Sequence, residues 1–149
     1  MITQNQVENL ARDYQIDKFT IMREYLQLLF LSYLYQNKSG KEIYFKGGTA
    51  IRLLLGSPRF SEDLDFSTTC SKVQIKQLML QLQKALQKEL PSLQILPLYS
   101  GISGIRFRIK YQALDFKYPL TIRLDFNLVK EIGQVSVSPL VTGFPITIF

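Results

Sequence analysis

The strongest constraint on the fold is a change of period along the chain. Ile105, Phe107, Ile109 and Tyr111 alternate with Arg106, Arg108 and Lys110. Further on, Leu120, Ile122, Leu124, Phe126 and Leu128 alternate with Thr121, Arg123, Asp125 and Asn127. Successive side chains of a strand point to opposite faces, so both segments read as strands with one buried face and one polar face. Before Leu90 the period is helical. Val7, Leu10, Ala11 and Tyr14 recur at helical spacing behind Thr3, a good N-cap. A second helix starts near Asp17 and carries Tyr25, Leu26, Leu29, Phe30, Tyr33 and Leu34. It is apolar on most sides and is expected to be buried. Asn37-Lys38-Ser39-Gly40 closes it as a turn.

Ile43-Tyr44-Phe45 reads as a short strand followed by Gly47-Gly48, with Thr49 placed to cap a short helix, Ala50 to Leu55, that stops at Gly56-Ser57-Pro58. Asp63 to Ser67 reads as another strand. Ser71 caps a long helix to Leu90, with Ile75, Leu78, Leu82, Leu86 and Leu90 on one face and Pro91 closing it. From Leu93 onward the pattern is extended. Helix, helix, strand, helix, strand, helix and then strands predict an α+β fold, a mixed sheet with helices packed against it.

Composition narrows the chemistry. The 149 residues suit one domain, and 46% hydrophobic residues are enough for a full core. No histidine is present, which excludes Ser-His-Asp and Cys-His catalysis and any His-ligated metal. The single cysteine, Cys70, excludes an internal disulfide and a Cys-cluster zinc site, and it suits a reducing compartment. The N-terminus shows no signal-peptide pattern. The longest apolar stretch, Tyr25 to Tyr35, is interrupted by Gln27 and Ser32 and falls short of the ~20 residues of a membrane span. The expectation is a cytoplasmic protein with no membrane contact. A net charge of +6 favours an anionic partner.

Carboxylates, Lys/Arg, hydroxyls or backbone groups must then carry any catalysis. In a strand, Asp63 and Asp65 share one face, opposite Leu64 and Phe66. Two like charges there repel unless a cation or a proton relieves them. Oxygen ligands of this kind suit Mg²⁺, which takes one or two carboxylates plus substrate phosphates. Asp125 lies mid-strand on a polar face, where strand propensity disfavours Asp. If its strand lies beside that of Asp63 and Asp65, three carboxylates converge and can hold two ions ~3.5–4 Å apart. Gly47-Gly48, between a strand and a helix start, lets backbone approach a phosphate at free N–H donors, and Thr49 can add a hydroxyl. Residues 101–130 also hold six basic side chains against Asp115 and Asp125, a stripe able to attract RNA or a triphosphate, or simply a solvated sheet face.

Lys46-Gly47-Gly48-Thr49-Ala50-Ile51-Arg52 and Arg59-Phe60-Ser61-Glu62-Asp63-Leu64-Asp65-Phe66 closely resemble the signature of the AbiEii/AbiGii nucleotidyltransferases. These are toxins of type IV toxin–antitoxin systems in the polymerase-β-like nucleotidyltransferase superfamily. The resemblance covers roughly residues 1–130. It implies that Gly47, Gly48 and Thr49 contact a nucleoside triphosphate, that Asp63 and Asp65 hold Mg²⁺, and that Asp125 matches the third carboxylate, which helps activate the attacking hydroxyl. Lys46 and Arg59 would contact phosphate, and Ser61 would join the nucleotide site. An RNA or tRNA acceptor and a cognate antitoxin are the implied partners. Family members usually continue into a helical C-terminal region. The expectation is therefore a single domain, N-terminal helices over 1–40 and a catalytic core over 41–149, shortened at its C-terminus. Its apolar final run, Phe144 to Phe149, would pack against something. Two alternatives stay open: a non-catalytic module that binds NTP, RNA or antitoxin, and a small-molecule nucleotidyltransferase of the antibiotic-modifying kind.

Overall fold

The structure, a computed structural model, describes residues 1–113, 116–140 and 144. Two helices lead. α1 (Gln4–Tyr14) starts at Thr3, whose side chain accepts from the Gln6 backbone N–H while the Gln6 side chain returns the bond to Thr3. α2 (Lys18–Gln36) is capped by Asp17 and is buried almost all round, as its apolar sequence requires. β1 (Ile43–Lys46) follows a short 3-10 turn and leads directly into α3 (Gly47–Leu55). Then come β2 (Leu64–Thr68), α4 (Lys72–Gln87, capped by Ser71), β3 (Gln94–Ser100), β4 (Gly104–Tyr111) and β5 (Leu120–Leu128).

Several elements differ from the sequence reading: β1 extends to Lys46, and β2 runs Leu64–Thr68 rather than Asp63 to Ser67, which leaves Asp63 just before the strand. α3 begins at Gly47 rather than at Ala50, because both glycines enter the helix and Thr49 faces inward instead of capping. α4 stops at Gln87, and the last turn to Leu90 continues only as backbone bonds from Glu89 and Leu90 to the Leu86 carbonyl. β3 is an additional strand, whose Pro97 blurs the extended signal and is tolerated because the strand lies at the sheet edge.

The five strands form one sheet in the order β1-β2-β5-β4-β3. All neighbours are antiparallel except β2 and β5, which run parallel. One face packs against the helices. On it Phe66 and Phe126 stack with ring centroids 5.1 Å apart, flanked by Phe45, Phe107 and, from α2, Phe30. The other face is open and polar. This division pins the register: a one-residue slip of β2 or β5 would bury Asp65 or Asp125 and expose Phe66 or Phe126. Truncating either buried ring to alanine is a change of the class that costs ~3–5 kcal/mol.

The N-terminal helices share the sheet's core rather than forming a separate one. Phe144 reaches that core, stacked on Tyr25 at 6.3 Å between centroids. The rest of the apolar final run, and Asp115, lie outside the described residues. Among the described residues, no helix is long and apolar enough to cross a membrane.

Candidate active site

The open face carries a transverse row that crosses all five strands. Lys46 of β1 is the register partner of Asp65 on β2, Asp65 of Asp125 on β5, Asp125 of Arg106 on β4, and Arg106 of Tyr99 on β3. The parallel pairing of β2 with β5 is therefore what brings Asp65 beside Asp125. Together with Gly47, these residues line a cleft of about 410 Å³, within the usual size of a small-ligand site.

The electrostatics are strained at the centre. Asp65 is half-buried, and its carboxyl is held above the ordinary value first by desolvation and then by the charges of Asp125 and Asp63. Its neighbours are partly neutralised. Arg106 Nη2 donates to Asp125 Oδ2 at 3.3 Å, and Arg123 Nη2 donates to Asp63 Oδ2 at 2.7 Å. Asp63 precedes β2 on the same face but stands one row away, toward Arg123 and outside the cleft lining. Among the described residues, no three carboxylates close into a ready-made metal cage. Asp65 and Asp125 do fit Mg²⁺ as a pair, since that ion takes one or two carboxylates and draws further ligands from substrate phosphates and water. The charge conflict at Asp65 is what a cation would relieve.

The glycine pair has two separate explanations. Gly47 has φ +85°, and a Cβ there would stand 2.7 Å from Asp65 Oδ2. Both the backbone and the carboxylate therefore demand glycine. Gly48 has neither reason: its backbone is helical, and the nearest atom to an added Cβ is Ser61 Oγ at 3.6 Å. The chain itself tolerates a larger residue at 48, so the glycine there suits the approach of something outside the chain. The N-cap residue of α3, Lys46, makes no side-chain capping bond, which leaves the first N–H groups of that helix without a side-chain acceptor. Glycine 47, glycine 48 and Lys46 are all exposed at this end of the cleft.

The segment before β2 is held by Thr49 and by Gln27, to which the sequence reading gave no role. Gln27 of α2 is 1% exposed, and its Nε2 donates to the carbonyls of Ser61 (2.9 Å) and Glu62 (3.0 Å). Thr49 is also buried, and its hydroxyl donates to the Asp63 carbonyl. That bond takes the Thr49 hydroxyl proton. Three consecutive carbonyls leading to Asp65 are thus fixed by α2 and α3. Nearby, Arg52 donates to both oxygens of buried Glu24 (2.6 and 3.2 Å) and to the Ser57 carbonyl (2.7 Å), and its guanidinium lies 3.6 Å over the Phe60 ring. The available signal was Glu24 and Gln27, two polar residues three apart within the buried stretch of α2. Arg59 is exposed and lies outside the cleft, whereas Ser61 turns its hydroxyl toward Gly48.

Comparison with known proteins gives the family and the fold. A family model described as nucleotidyl transferase AbiEii toxin, type IV TA system, matches residues 29–148. No curated protein matches the chain. JHP933 from Helicobacter pylori is 21% identical, covers 83% of this chain and 50% of its own, and superposes with a TM-score of 0.61. A putative nucleotidyltransferase from H. pylori is 23% identical, over 75% and 46% of the two chains, at 0.57. MenT4, a nucleotidyltransferase toxin from Mycobacterium tuberculosis, is 18% identical, over 88% and 44%, at 0.55. At such identities the likeness establishes the fold, and the chain spans about half the length of each of these structures. With a family match over most of its length and a mixed sheet of the same fold, the chain belongs to the AbiEii nucleotidyltransferase toxin family of type IV toxin–antitoxin systems.

Proposed function

We propose that this chain transfers a nucleotide from an NTP to an acceptor hydroxyl, with Mg²⁺ held between Asp65 and Asp125. The observation that carries this reading is the register pairing of those two carboxylates beside the exposed N-terminus of α3. The triphosphate binds at Gly47 and Gly48, where helix N–H groups and Lys46 balance its charge. Asp65 and Asp125 would hold the Mg²⁺, which would neutralise charge developing at the α-phosphate. Asp63, paired here with Arg123, would be a further carboxylate able to hold the cation. Arg106 fixes Asp125 through Oδ2, and we assign the acceptor proton to Asp125 Oδ1. The acceptor oxygen attacks the α-phosphorus, the α–β bridging bond breaks, and pyrophosphate leaves toward Gly47 and Lys46.

Ser61, beside Gly48, and Thr49, through the Asp63 carbonyl, shape the site, while Arg59 would reach phosphate only from outside the cleft. We read the acceptor as RNA, tRNA among the candidates, because Arg108, Lys110 and Arg123 stand exposed on the same open face, and phosphate attraction needs no more than such a basic surface. The helices and sheet share one core, which supports a single nucleotidyltransferase domain, acting in the cytoplasm and controlled by an antitoxin. The test is label transfer from each α-³²P NTP to an RNA pool with Mg²⁺. Transfer by the wild type, lost in Asp65→Asn, supports the reading. Mg²⁺-dependent NTP binding without transfer would make the chain a binding module, and label on aminoglycoside-type small molecules instead of RNA would move it to the antibiotic-modifying class.

A further inference from the structure

The fifth member of the transverse row is placed there by an irregularity. Pairing of β3 with β4 runs Ile95 to Ile109, Leu96 to Arg108 and Pro97 to Phe107, then jumps to Tyr99 opposite Arg106. Leu98 is the extra residue of a bulge. Without it, strict alternation would set Leu98 against Arg106 and turn Tyr99 to the core face opposite Ile105. Bulges at sheet edges commonly re-aim one side chain beside a functional site. Here the re-aimed side chain is a tyrosine that lines the cleft and is 59% exposed.

The surroundings suit a ring rather than a filler. Tyr99 lies along the β3–β4 turn over Gly101, where an added Cβ would stand 2.6 Å from Tyr99 Cζ and 2.9 Å from Cε1, so glycine leaves room for the ring where it stands and a larger residue would push it aside. The Arg106 guanidinium carbon is 5.9 Å from the ring centroid, and Arg106 Nε is buried with no hydrogen-bond partner among the described residues. The positions along the row follow a nucleotide's own order. The phosphate-binding end is at Gly47, the carboxylates occupy the second and third strands, and the aromatic ring stands two strand spacings, about 10 Å, beyond Asp125.

We propose that Tyr99 is a stacking platform for a nucleobase, borne either by the incoming NTP or by the end of the acceptor strand. Stacking needs only a π face, so the platform orients every base and discriminates weakly among them. The inference rests on the nucleotidyl-transfer reading of the same cleft.

The test compares wild type, Tyr99→Phe and Tyr99→Leu by titration calorimetry in Mg²⁺ with three probes: inorganic tripolyphosphate, α,β-methylene-ATP, and a short single-stranded RNA. The expected result is that Tyr99→Phe binds all three within about twofold of wild type, while Tyr99→Leu loses about 5- to 150-fold on a base-bearing probe and nothing on tripolyphosphate. Loss on the ATP analogue assigns the platform to the incoming nucleotide, and loss on RNA assigns it to the acceptor. Equal affinity of Tyr99→Leu and wild type for both base-bearing probes overturns the platform and leaves the transfer reading standing. An equal loss on all three probes overturns it too, by giving Tyr99 a structural role in the β3–β4 turn. A wild type that binds none of the three removes the transfer reading and the platform with it.

Discussion

Three glycines separate what the fold needs from what a ligand needs. Gly56, at φ +74° with nothing within 4 Å of an added Cβ, ends α3 away from the cleft. Gly56→Ala therefore measures left-handed backbone strain alone, about 1–2 kcal/mol. Gly47→Ala carries the same strain and adds a Cβ 2.7 Å from Asp65 Oδ2 and 3.3 Å from Asp65 Cβ. The oxygen can swing aside, but the Cβ is anchored to β2, so an overpacking cost of about 1–3 kcal/mol follows. At roughly 2–4 °C per kcal/mol for a chain of this size, Gly56→Ala should melt about 2–8 °C below wild type, and Gly47→Ala at least about 2 °C lower still. Gly48→Ala should melt at or slightly above wild type, because alanine is the better helix residue by about 1 kcal/mol and its Cβ has room. Scanning calorimetry gives the three values, and calorimetric titration with Mg²⁺ and α,β-methylene-ATP gives the affinities. Gly56→Ala should bind like wild type, and the other two should lose at least about tenfold. Wild-type affinity in Gly48→Ala would refute the argument that position 48 is kept small for a phosphate.

Other consequences follow from the same geometry. Because desolvation and its acidic neighbours raise the Asp65 carboxyl, the folded state holds that proton to higher pH than the unfolded state. Stability therefore falls as pH rises through the folded value, and the loss is complete above it. Asp65→Asn should accordingly be more stable than wild type at neutral pH without divalent ions, and pH-dependent denaturation should show the advantage fading as pH drops toward the ordinary aspartate value of 3.8. Mg²⁺ with the ATP analogue should stabilise only the wild type; equal stabilisation of both would contradict the assignment. Gln27→Met removes two buried donors and leaves two carbonyls unpaired, each worth about 1–3 kcal/mol. Hydrogen exchange should speed up over residues 61–65, and Gln27→Glu, which sets a carboxylate against those carbonyls, should be worse than Met. Glu24→Ala leaves the Arg52 guanidinium, 12% exposed, without its carboxylate, and urea denaturation should show a loss of about 3–5 kcal/mol.

Local features were legible in the sequence because local physics sets them. The alternation of Leu120 to Leu128 fixed which face is buried, and so which face Asp125 occupies. Thr3, Asp17 and Ser71 announced three helix starts through their side-chain acceptors. Thr49 misled for the same reason: a hydroxyl beside a helix start reads as a cap, whereas this one turns inward to the Asp63 carbonyl. The neighbouring of Asp65 and Asp125 depends on a parallel pairing across sixty residues of chain, which alternation permits but does not choose. Tyr99 was invisible because a bulge breaks the rule by which faces are assigned. Gln27 stood in plain view in the buried stretch of α2, but its partners are backbone carbonyls, which no side-chain pattern records.

The central claim is that Asp65 and Asp125 share a divalent ion with a triphosphate seated at Gly47 and Gly48. Anomalous diffraction from crystals grown with Mn²⁺ and α,β-methylene-ATP addresses it without any assumption about turnover. The expected result is a metal peak between the two carboxylates and the phosphate oxygens, with the β- and γ-phosphates against the start of α3. Nucleotide bound elsewhere, or a cleft in which Arg106 and Arg123 keep both aspartates and no metal enters, would contradict it.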